Sequence, residues 1–424
     1  MNKQRFYELE GLRGVAAIAV VLYHYSLAFY AMIFYGSIQN VVQNMQYEDN
    51  LYGNPISVFF SGTFAVAIFF VLSGFVLSIA FFQTGKLDII KKLATKRYLR
   101  LMLPALASVM ICYVVFKLGI FHIREAAAMS NSWWLKTTWT FTPHLTDAIS
   151  DGVYGIFTQG SDLYNNVLWT MQTEFLGSFI VFGFAALFYK VKYRWVLYVA
   201  LMVVLFNTWL LGFIIGMALA DAYANGRVKS ISNPFAAVVV VVGGLFLGGY
   251  PLNIVTGTVY QVFAVPGLAV KWNMFYLTIG ASLLVFGVLS VTRLAKFFQN
   301  KRVSILGRYT FSLYLVHLVI LYSFTTFVFV ELRTKLGFGY NLAAVTAIVS
   351  SAPVIFGVTI LFERYIDAPS IRLSTYFANV VLGNTELDLN RRLQSVARRV
   401  VRAIPTRRFS VPQEELLAQE ELES

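Results

Sequence analysis

"GLRGVAAIAVVLYHYSLAF", residues Gly11 to Phe29, is an almost unbroken apolar run with an arginine near its start and a histidine further along. A segment this apolar predicts a helix in lipid or one deep in a core. An ionisable ring inside such a helix is costly to keep, so His24 is the first candidate for chemistry. Arg13 lies eleven positions before it, which on an α-helix puts both side chains on one face, ~16 Å apart along the axis. The pair therefore reads as a basic residue at the cytoplasmic mouth of a channel and an imidazole near the bilayer centre, facing the same interior.

The rest of the chain agrees with a membrane setting. Of 424 residues, 58% are hydrophobic and only 13% charged, about half the charged fraction of a soluble domain. Mean hydropathy is +0.66. A net charge of +13 raises nucleic acid as a partner, but in a membrane protein Lys and Arg collect on cytoplasmic loops, so no nucleic acid is expected. The single cysteine, Cys112, excludes an internal disulfide and a cysteine-based metal site; no metal is expected. The polar start "MNKQRFYELE" runs into an apolar stretch longer than a signal-peptide core and reads as a retained first span.

Ten segments meet the spanning criterion: Leu12–Phe34, Ser57–Phe82, Tyr98–Gly119, Val167–Tyr189, Trp195–Phe206, Trp209–Ala224, Pro234–Tyr250, Trp272–Leu289, Ile305–Val330 and Val345–Tyr365. The fifth and sixth share one apolar run, interrupted at "FNTW", and read either as a tight hairpin or as one kinked helix. Ten spans put 27 Lys and Arg on the side of the termini and five on the other. The bias orients both termini to the cytoplasm. The expected fold is all-α: a polytopic integral membrane protein of about ten transmembrane helices, residues 1–374, followed by a cytoplasmic tail, residues 375–424. In that tail "LNRRLQSVARRVVRAI" sets seven apolar residues on one stripe and five arginines on the other face, a basic amphipathic helix for anionic lipid. An acidic end follows.

Further charged groups fall at chemically telling places. Arg97 and Arg100 stand one turn apart where the third span begins, and guanidinium pairs suit phosphate. Lys91, Lys92 and Lys96 beside them need no more than a topological role. Glu174 sits in the fourth span, a turn or two below the outer surface. His317 lies about twelve residues into the ninth span, at a depth close to that of His24. Two histidines and a carboxylate make an acid/base set. An outer loop carries Trp133, Trp134 and Trp139, which suit an interfacial aromatic belt. "FFVLSGFVLS" offers Ser73 and Gly74 as a small-residue notch for close packing or ligand entry.

Taken together, these stretches resemble the membrane acyltransferase-3 family, which O-acylates carbohydrates and other hydroxyl-bearing molecules. "ELEGLRGVAAIAVVLYHY" is similar to the family's first helix, with its Arg-x10-His motif on Arg13 and His24; Glu10 stands where the family usually has Asp. "FFVLSGFVLS" and "RYLRLMLP" resemble its second and third helices. "LWTMQTEF" matches a Trp-x4-Glu stretch through Trp169 and Glu174, and "FSLYLVH" and "YIDAPSIRLS" its last two helices, with Asp367 for a common Glu. The likeness runs from Glu8 to about Ser374.

The resemblance implies a ten-helix core that uses acyl-CoA, usually acetyl-CoA, from the cytoplasm. Arg13, Arg97 and Arg100 would meet the phosphates of coenzyme A. His24 would take the proton of an acceptor hydroxyl or carry the acyl group itself, with Glu174 and His317 orienting the acceptor or relaying a proton. Trp133, Trp134, Trp139 and Trp169 would contact a carbohydrate or glycoconjugate acceptor. Membrane lipid is the other partner, a homo-oligomer is compatible with the reading, and the plasma (inner) membrane is the expected location. The rival is a transporter of an anionic metabolite or acylated glycan, which shares the ten spans and midplane charges but usually shows an inverted repeat, and none is visible. A non-catalytic scaffold leaves His24 without a purpose. Turnover of a thioester separates both rivals from an acyltransferase.

Overall fold

The apolar runs become helices, and in the computed structural model helices are the sole regular elements among the described residues, which are 5–35, 44, 48–206, 208–252, 255–263 and 272–383. In chain order the principal ones are α1 (Tyr7–Phe29), α2 (Gly62–Thr84), α3 (Leu87–Lys117), α4 (Asn166–Phe188), α5 (Arg194–Leu205), α6 (Leu210–Ala224), α7 (Pro234–Gly248), α8 (Trp272–Ser290), α9 (Lys301–Thr334) and α10 (Tyr340–Val381). Seven of them, all but α5, α6 and α7, are long and apolar enough to cross a bilayer. The other three, of 12, 15 and 15 residues, rise only about 18–22 Å, less than the roughly 30 Å hydrocarbon core. The architecture is that of an all-helical integral membrane protein, with seven full-length apolar helices and three shorter ones among the described residues.

The apolar run over 195–224 is two helices. Arg194, at the start of α5, forms a two-point ion pair with Asp221, near the end of α6, at 2.6 Å from Nε to Oδ2 and 2.6 Å from Nη2 to Oδ1. Tyr198 and Asn225 donate to the same carboxylate at 3.1 and 2.8 Å. The start of one helix can meet the end of the next only if the chain turns back, so this is an antiparallel hairpin.

Small residues set the closest crossings. A methyl on Gly74 of α2 would overlap the carbonyl of Phe213 in α6, and one on Gly216 would overlap that of Val71. Gly14 of α1 lies equally tight against Leu306 of α9. These contacts seat α6 on α2 and α9 on α1, and Gly62 of α2 lies as tightly against Tyr23 of α1; α3 and α4 pack beside them.

Two helix boundaries move. α3 begins at Leu87, eleven residues before the expected Tyr98, because the basic linker continues the helix. Arg97 and Arg100 are consequently inside a 31-residue helix. α10 continues to Val381, so the expected boundary at residue 374 falls within a helix. The chain divides into two compact units, Met1–Thr375 and Tyr376–Ser424. The expected amphipathic helix over 389–404 and the acidic end lie outside the described residues. Between α3 and α4 the segment Leu145–Thr158, with a π-helical turn at Asp151–Gly155, runs back along α3. Tyr98 donates from its hydroxyl to the Val153 carbonyl at 2.8 Å, one residue from Arg97.

Candidate active site

α1 and α9 meet through their histidines. His24 Nδ1 lies 2.9 Å from the Val20 carbonyl and 3.1 Å from His317 Nε2, and His317 Nδ1 lies 3.0 Å from the Leu313 carbonyl. Each carbonyl can only accept, so each neutral ring carries its proton on Nδ1. His317 then offers a lone pair at Nε2 toward His24 Nδ1. His24 in turn keeps Nε2 as its basic nitrogen, oriented from two sides. His317 is fully buried. The Trp134 ring lies 5.6 Å from that of His24, centroid to centroid, and Tyr23 packs edge-on at 5.0 Å.

A cavity of about 450 Å³ opens among α1, α2, α3, α4, α9 and the π-turn of α10. Its far end is walled by Thr170 and Tyr314. These two hydroxyls bond each other at 2.9 Å, and the Tyr314 ring is 6.2 Å from His317. The histidine pair thus sits just beyond the cavity rather than in it. The expectation that Arg13 and His24 face one open channel is corrected to that extent: Arg13 lines the cavity, and the Tyr314–Thr170 contact stands between it and the imidazoles.

Most of the cavity's charges come in pairs, three of them between helices and one within α1. Arg97 binds the Glu174 carboxylate and donates from Nε to Ser178 at 2.7 Å; Ser73 donates to the same carboxylate at 2.7 Å. Arg100 meets Asp367 at 2.6 Å and lies over the Phe311 ring. Arg308 holds Glu363 at 2.9 and 3.1 Å, and Arg13 approaches Glu10 at 3.8 Å. Glu174, expected to need a partner as a buried acid, has Arg97 for it and lines the cavity. Arg97, expected where the third span begins, lies ten residues into α3 with its side chain 12% exposed. The early start of α3 and its packing against α4, neither visible to a count along one helix, bring the two together.

The tryptophans separate. Trp139 is 3% exposed, donates its indole N–H to the Tyr164 carbonyl at 2.9 Å and stacks on Phe116 at 4.9 Å. It packs as a core residue, with little face left open to a sugar ring. Trp133 is 63% exposed, Trp134 leans on His24, and Trp169 packs against Trp209. Arg308, Glu363, Tyr314 and Thr170 are site residues that the reading of the sequence passed over. Arg308 was absorbed by the positive-inside bias, whereas Glu363, an acid inside the tenth expected span, was a usable signal. Among the described residues no three His, Cys, Asp or Glu side chains gather as a metal site.

Comparison with known proteins shows the family of the chain. A family model described as an acyltransferase domain, Acyl_transf_3, matches residues 6–364. A curated protein of Cochliobolus lunatus, acyltransferase clz18, is 23% identical over 393 residues, covering 74% of this chain and 80% of that protein. No solved structure matches.

Proposed function

Because the chain belongs to the Acyl_transf_3 family of acyltransferases, we propose that it is a membrane O-acyltransferase that moves an acyl group, acetyl in the simplest case, from cytosolic acyl-CoA to a hydroxyl of a carbohydrate or glycoconjugate. The observation that carries the reading is the arginine-lined cavity ending at Tyr314, directly against a histidine pair whose hydrogen bonds leave His24 Nε2 basic. Arg13, Arg97 and Arg100 take the donor's phosphates, and Val66, Phe69 and Met171 give the pantetheine arm an apolar wall. His24 Nε2 removes the acceptor's hydroxyl proton as that oxygen attacks the thioester carbonyl. The C–S bond then breaks and coenzyme A leaves as the thiol, taking the proton back. In the two-step variant His24 Nε2 attacks first and passes the acyl group on.

His317 holds the His24 tautomer, and Glu174 holds Arg97. The acceptor approaches from the opposite side, past Trp133 and Trp134. The cavity mouth and both termini face the cytoplasm of a plasma membrane. Purified protein in nanodiscs, incubated with acetyl-CoA and a glycan fraction from its own cells, should release free thiol and add acetyl mass to the glycan. Intact thioester after prolonged incubation overturns the reading.

A further inference from the structure

Glu363 and Asp367 sit four residues apart on the π-helical turn of α10, and each holds an arginine from a different helix. Glu363 grips Arg308 of α9 through two bonds, 2.9 and 3.1 Å, and Asp367 grips Arg100 of α3 at 2.6 Å. All four residues line the cavity. The two carboxylates are buried, 7% and 4% exposed, whereas the Arg308 side chain is 58% exposed, so its guanidinium is reachable at the rim. A carboxylate occupies one edge of a guanidinium in the way that two phosphate oxygens would.

We propose that Glu363 and Asp367 are built-in competitors for the donor's phosphates, and that Arg308 is a donor-binding residue alongside Arg100. This rests on the donor reading of the cavity. The lining's five arginines exceed its four carboxylates by one, a weak attraction for a polyanion while every pair stays closed. Exchange of Glu363 for phosphate on Arg308 opens a cationic site at the mouth. The same exchange in reverse helps expel coenzyme A, which keeps all its phosphates after transfer. Phosphate binding is equal in donor and product and so contributes nothing to the chemical step. A competitor that weakens both speeds release.

The alternative is a structural staple that pins α10 to α9. The two differ in sign. Full-length protein in nanodiscs is titrated with coenzyme A itself, so that no turnover intervenes. Glu363→Gln is expected to lower the dissociation constant about fivefold, the upper end for a partly exposed ion pair. Arg308→Ala should raise it, and the double variant should bind no more tightly than Arg308→Ala alone. Glu363→Asp, which loosens the two-point contact, should move the constant in the same direction as Glu363→Gln by a smaller step, and serves if the glutamine variant does not fold. Wild-type binding with neither variant tighter, whatever their melting temperature, overturns the competitor role alone. A wild-type protein that binds no coenzyme A overturns the donor reading with it.

Discussion

His317 Nε2 lies 3.1 Å from His24 Nδ1, so a fully buried imidazole on α9 orients the imidazole assigned to the chemistry on α1. Removing the two should therefore have different signatures. His24→Ala is expected to cost 10²–10⁴-fold in transfer rate, the usual loss of a general base, with the protein still inserted and folded. His317→Ala should lower kcat while leaving the donor KM near wild type. Turnover in nanodiscs beside a melting curve reads both, and near-normal activity of His24→Ala removes that residue from the mechanism.

Arg97 and Glu174 form a largely enclosed pair, their side chains 12% and 15% exposed. Breaking a buried pair from one side leaves a charge unpaired and typically costs about 3–5 kcal/mol. Arg97→Met should destabilise strongly, and the double variant Arg97→Met/Glu174→Leu should recover part of the loss. A double variant no more stable than Arg97→Met shows that the pair is not what the charge is there for.

Arg100 is expected to grip the donor. Arg100→Ala should raise the KM for acetyl-CoA with a smaller effect on kcat, and raised salt should partly mimic it by screening. An unchanged KM in Arg100→Ala and in wild type at high salt refutes the assignment.

Asp221 is the hub of the α5–α6 hairpin, accepting from Arg194, Tyr198 and Asn225. Asp221→Ala should lower the melting temperature and leave the donor KM alone, because Asp221 is not among the residues lining the cavity. A raised KM at full stability would tie this hairpin to the donor.

The basic segment Leu389 to Ile404 should bind anionic lipid and be dispensable for transfer. Each Lys or Arg near such a surface contributes about 1 kcal/mol. Because α10 continues to Val381, the clean truncation is after Gly383. That chain should keep its activity, and a peptide of the segment should become helical on anionic vesicles and not on neutral ones. Loss of activity in a folded truncation places the tail in the site.

The sequence by itself determined the membrane class, the helical runs, their Lys and Arg asymmetry, and the shared face of Arg13 and His24. Each of these is a property of one segment, readable from composition and a 3.6-residue period. Tertiary structure alone decided the partners: His24 with His317, Arg100 with Asp367 and Arg97 with Glu174, which lie 293, 267 and 77 residues apart in the chain. Periodicity fixes the face of a helix and the depth along its axis. It carries nothing about which helix adjoins that face, how far a neighbour is tilted, or whether a tyrosine closes the space between. Those follow from close crossings at Gly14, Gly74 and Gly216 and from helices that begin earlier than their apolar runs. For that reason Glu174, legible as a costly buried acid, could be assigned its arginine only once α3 and α4 were packed side by side.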